Sequence, residues 1–89
     1  MFIRKVKLRI RNTTYIRLEE RLIGDITTMK PENDDWRRIT VSVGNDEGFR
    51  RLIRMLGKDV EVLAPPELRK EFAELAQTLA DRYLSDATA

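Results

Sequence analysis

Two short runs in this chain space their residues so that they could hold a negatively charged ligand. Lys5, Lys7 and Arg9 alternate with apolar side chains, and Trp36 and Arg38 stand two residues apart in a second alternating run. Successive cations on one strand face can track phosphates while a base stacks on an indole. Stacking contributes about 1–3 kcal/mol per base, and phosphate contacts make such binding fall steeply with salt. Ordinary cross-strand pairing competes with this reading. A Lys7–Glu61 pair would contribute only about 0.2–1 kcal/mol, and Trp36 could cover Met29. Arg50 and Arg54 form a second candidate, since helical spacing puts them on one face able to grip phosphate or carboxylate. The alternative is a solvated face beside an acidic final helix. Arg17 and Arg21 share that spacing, but Glu19 and Glu20 lie among them and favour a solvent face.

Nothing in the chain points to catalysis. It has neither His nor Cys, so the usual base, thiol nucleophile and soft-metal ligands are missing. With no His to act as base, neither Ser42 nor Ser85 reads as a catalytic nucleophile. Glu32, Asn33, Asp34 and Asp35 lack the alternating ligands and terminal Glu of an EF-hand, so they read as an acidic hairpin tip and not a calcium site. Glycines occur singly, which excludes a phosphate-cradling loop. No cofactor is expected.

The elements positioning these residues follow from periodicity. The chain has 89 residues, enough for one domain with one core. Residues 4–11 alternate strictly, with Val6, Leu8 and Ile10 inward. Asn12 suits an N-cap, and a helix over 13–23 puts Tyr15, Leu18 and Leu22 on one face before Gly24 stops it. A weaker strand over 25–30 has Ile26 inward, and the turn 31–35 leads to a strand over 36–43 with Ile39, Val41 and Val43 inward. After a break, with Asn45 able to cap, a helix over 46–56 carries the stripe Phe49, Leu52, Ile53 and Leu56, and Gly57 ends it. A short strand over 59–63 buries Val60 and Val62. Pro66 then opens a helix over 66–84 with the stripe Leu68, Phe72, Leu75, Ala76, Leu79 and Tyr83.

This order predicts an α+β fold: a ferredoxin-like β-α-β-β-α-β sandwich with an antiparallel four-stranded sheet and an added C-terminal helix. Two helices would cover one sheet face. The other would carry Lys5, Lys7, Arg9, Met29, Trp36, Arg38, Thr40, Ser42 and Glu61 and meet water. The final helix is expected to bury its stripe against a helix edge or another chain. Charge is segregated: residues 1–24 carry +5, 25–35 carry −3, 36–58 carry +4 and 59–89 carry −4. Such blocks imply internal pairing or a surface for an anionic partner. Without cysteine, an apolar run of membrane-spanning length or a signal-peptide core, the chain reads as cytoplasmic with no membrane partner.

From Phe49 onward the chain resembles the C-terminal extension (WCX) domain of bacterial WYL-type transcriptional regulators. The likeness is carried by Leu52-Ile53-Arg54-Met55-Leu56-Gly57, Val60-Glu61-Val62-Leu63, Pro66, Leu68-Arg69 and Tyr83. The basic strand, helix and hairpin running into Ile39-Thr40-Val41-Ser42-Val43 extend it over nearly the whole chain. The resemblance implies transcription regulation: a winged helix-turn-helix, a WYL effector-sensing domain and this extension, in a homodimer whose effector can be single-stranded nucleic acid. This chain would then be a fragment of a longer regulator, partnered by a WYL domain of the same chain or of a dimer mate. The motif also singles out Arg69, which opposes the dipole in the first helical turn and so needs a holder: Glu61, Asp59 or a partner domain's carboxylate.

The expected function is therefore a non-catalytic regulatory and dimerisation module that helps bind an anionic effector, nucleic acid first. One rival is an ACT- or RAM-like domain binding an amino acid, but Asn12-Thr13-Thr14 stands where its glycine-bearing loop belongs. Another is a purely structural assembly domain using the final helix as glue. An acylphosphatase-like enzyme lacks its loop arginine and asparagine here.

Overall fold

The computed structural model describes residues 4–17, 25–44 and 46–86. In chain order these form β1 (Arg4–Arg11), α1 (Asn12–Arg17), β2 (Asp25–Pro31), β3 (Trp36–Val43), α2 (Asp46–Leu56), a 3₁₀ turn (Gly57–Asp59), β4 (Val60–Ala64) and α3 (Pro66–Asp86). The strands make one antiparallel sheet in the order β2-β3-β1-β4, so β1 and β3 share its centre.

Alternation decides which side each residue takes. Val6, Leu8 and Ile10 of β1 and Ile39, Val41 and Val43 of β3 are buried on one face with Val60 and Val62. They pack in one cluster with Phe49, Leu52 and Ile53 of α2, the stripe expected of a helix on a sheet. Asp46 and Glu47 occupy the first turn of α2, at the positive end of its dipole. Arg4 reaches Asp46 at 3.1 Å and ties the start of β1 to that helix end. Gly57, at φ +56°, supplies the left-handed residue after α2.

The final helix departs from expectation at its start. Its first turn enters the domain's own core: Leu68 is 1% exposed, and Phe72 packs against the same cluster. The Pro65 carbonyl accepts the N–H groups of Leu68 and Arg69, both at 3.1 Å, which seats this first turn beside β4. Beyond Leu75 every described side chain is exposed, including Leu79, Tyr83 and Leu84. The stripe is thus divided, the first half core and the second half surface.

Three further expectations change. Asn12 does not spend its side chain on a helix cap; its carbonyl accepts from Arg37 Nε at 2.7 Å and its amide donates to the Asp34 carbonyl at 2.8 Å. Met29 lies on the helix-side face, opposite Ile39, because the register slips between Ile26 and Thr28. One extra residue in β2 lets Ile26 and Met29, three apart, point the same way. The pair across β1 and β4 is Arg9–Glu61, not Lys7–Glu61, since Lys7 stands opposite Ala64. Of the helix expected over 13–23, α1 accounts for the first part; Leu18, Leu22, Gly24 and the cap at Asn45 lie outside the described residues.

Candidate functional site

The open sheet face brings together all five of the first candidates. On β1, Lys5, Lys7 and Arg9 stand opposite Ser42, Thr40 and Arg38 of β3, and Arg11 stands opposite Trp36. Lys5 and Lys7 are exposed, and their side chains make no ion pair or hydrogen bond among the described residues. With Lys30, exposed on β2 opposite Arg38, they are the unpaired cations of the face among the described residues.

Arg9 and Arg38 are placed differently. The register sets them directly opposite one another, a like-charge pairing that is unfavourable without a counter-ion. Glu32 supplies it. Arg9 Nε donates to Glu32 Oε2 and Arg38 Nε to Glu32 Oε1, each at 2.6 Å, so two adjacent strands converge on the two oxygens of one carboxylate. The hydrogen bond from Arg38, then that from Arg9, holds the Glu32 carboxyl below the usual carboxylate range. The turn fixes its backbone: Glu32 and Asn33 N–H groups donate to the Trp36 carbonyl, and Asn33 Oδ1 accepts from the N–H groups of Asp35 and Trp36.

Trp36 is not a bare platform. The guanidinium of Arg9 lies 4.2 Å and that of Arg11 4.6 Å from the ring centroid. Such contacts contribute about 0.5–1 kcal/mol each at exposed sites, so the indole is already engaged by two guanidinium groups of β1. The network extends to β4: Arg9 is 3.7 Å from Glu61, whose other oxygen accepts from Arg69 at 2.7 Å. Arg69 also donates to the Val62 carbonyl at 2.9 Å, which answers what holds a cation in a first helical turn. Arg11 pairs with Asp59 at 3.1 Å.

The second candidate pair divides. Arg50 donates to Glu71 at 2.6 Å and lies 3.9 Å from Asp46, pinning α3 onto α2; the Glu71 bond raises its pKa further. Arg54 is exposed and lines an open apolar groove of about 780 Å³ between α2, β4 and α3, with Ile53, Val62, Phe72, Leu75 and Leu79 along its walls.

Glu32 is the residue of this face that pattern reading misses, because by type it reads with Asn33, Asp34 and Asp35 as one solvated tip. The period alone hides it: counting by twos from Ile26 puts residue 32 on the buried face, and only the register slip between Ile26 and Thr28 sets Lys30 opposite Arg38 and residue 32 on the open side.

No curated protein and no solved structure matches the chain. The family model of the WCX domain matches residues 3–80, which include all four strands and most of the final helix. The chain belongs to the WCX domain family.

Proposed function

We propose that this domain is a non-catalytic regulatory module of a WYL-type transcriptional regulator, and that its open sheet face helps bind an anionic effector, single-stranded nucleic acid first. Its family is associated with regulation and not with catalysis, which supports the first half of the reading. We read the strand order as that of a ferredoxin-like sandwich, which leaves one sheet face outside the helix layer. The observation that carries the second half is the pair Lys5 and Lys7, exposed and unpartnered among the described residues, in line with the Arg9/Arg38 fork. A row of cations two residues apart, about 6.8 Å in an antiparallel strand, suits successive backbone phosphates. Titration with a single-stranded oligonucleotide at two salt concentrations tests it. Binding should weaken steeply with salt and be lost in Lys7→Glu; binding indifferent to that substitution overturns the reading.

Homodimeric assembly in the parent protein is the second part of the proposal. The exposed Leu79, Tyr83 and Leu84 on the outer half of α3 favour it. The apolar groove has the exposed cations Arg54 and Lys58 among its lining residues, while α3 carries the exposed carboxylates Glu67 and Asp81. A second copy thus offers both an apolar stripe and the complementary charge. Sedimentation of the chain, alone and with Leu79→Glu, tests this; a monomer at high concentration contradicts assembly through this helix.

A further inference from the structure

We propose that Glu32 is a built-in competitor for the ligand: Arg9 and Arg38 form a phosphodiester cradle that the hairpin's own carboxylate fills until a nucleic-acid strand displaces it. This rests on the anion-binding reading of the open face and specifies how that face is regulated.

The fork geometry is the first support. Two Nε–H donors from neighbouring strands meet the two oxygens of a single carboxylate at 2.6 Å each. A phosphodiester presents the same feature, a pair of anionic oxygens on one centre, and planar guanidinium groups recognise both. Register is the second support. Because Arg9 and Arg38 are directly opposed, an anion between them is favoured, this chain's or another's; Glu61, 3.7 Å from Arg9, offsets only that arginine.

The origin of Glu32 is the third support. It comes from the β2–β3 turn and not from the sheet, and its main-chain bond to Trp36 does not depend on its side chain. The carboxylate can leave by rotation about its own bonds while the turn stays closed. Its neighbours Asn33, Asp34 and Asp35 are exposed, so a displaced Glu32 enters water. Lys5 and Lys7 extend the same line of cations away from the cradle.

A competitor held in place lowers apparent affinity by the fraction of time the cradle is free. Glu32→Gln keeps the shape and removes the charge, so binding of a single-stranded oligonucleotide at low salt should tighten about tenfold. Asp34→Asn removes one negative charge from the same turn without touching either arginine and should change binding less than about twofold. The single tryptophan, beneath Arg9, reports the site by its fluorescence. Arg38→Ala, on a side chain 59% exposed, should weaken binding and abolish the gain when combined with Glu32→Gln. If Glu32→Gln unfolds the hairpin, Glu32→Asp decides: it keeps the charge and the turn but shortens the reach to Arg9 and Arg38, so binding should tighten part of the way, and no tightening overturns the proposal.

Equal tightening by Glu32→Gln and Asp34→Asn, or none by Glu32→Gln, overturns the proposal. If the unmodified chain binds in a Lys7-dependent way and Glu32→Gln changes nothing, the competitor is refuted and the anion-binding face stands. If neither the unmodified chain nor Glu32→Gln binds, both fall.

Discussion

Arg37 and Asn12 are joined by a 2.7 Å hydrogen bond that fastens the end of β1 to the start of β3, with the Arg37 guanidinium also 4.3 Å from the Tyr15 ring centroid. The same asparagine donates to the Asp34 carbonyl, and its N–H donates to that of Asp35 at 2.7 Å. One polar side chain thus links the β1–α1 junction, the hairpin turn and β3. Asn12→Ala removes two of these links and should cost about 1–2 kcal/mol, a fall of roughly 4–8 °C in Tm for each kcal/mol. Asn12→Asp keeps the acceptor for Arg37 but sets a carboxylate against a carbonyl, and should fall between the two. Thermal melts of the three proteins give the order directly.

The divided stripe of α3 makes a sharp contrast. Leu68→Ala opens a cavity in the core and should cost about 2–5 kcal/mol. Tyr83→Ala, at a residue 74% exposed, should stay within about 0.5 kcal/mol. Urea unfolding of both variants measures the difference. A large loss at Tyr83 in a monomeric sample would contradict the exposed outer half of the helix.

Glu32 gives stability a pH dependence of known sign. Its folded pKa lies below the ordinary value of about 4.3. A depressed carboxyl contributes stability that is fully present above the unfolded value and lost as pH falls through the folded one. The Tm of the native chain should therefore drop on acidification below about pH 4.3 more steeply than that of Glu32→Gln, and the two curves should converge at the acid end. A parallel acid fall in both proteins would show that Glu32 is not paired in solution.

Much of this was legible in the sequence because period two is a strict rule. Val6, Leu8, Ile10, Ile39, Val41 and Val43 are all buried as their alternation requires, and Lys5 and Lys7 are exposed on the other side. What alternation does not encode is register. A shift of two residues keeps every side chain on its face, so Arg9 replaces Lys7 opposite Glu61 with no sign in the pattern. A bulge breaks even the parity, which is how Met29 changed sides. The partnership of Glu32 with Arg9 lies across 23 residues of sequence and depends on both register and turn closure. Asn12 illustrates a different limit: its type fits a cap, yet a neighbouring strand offered a charged donor, and charge-assisted bonds are the stronger.

Lys5 and Lys7 stand as unpaired cations beside the arginine fork among the described residues, and the salt dependence of oligonucleotide binding reads their contribution most directly. Affinity for a single strand should fall linearly with salt on logarithmic axes, and each of Lys5→Ala and Lys7→Ala should reduce the slope by about 0.7. A slope unchanged by both substitutions, or no binding at low salt, contradicts it.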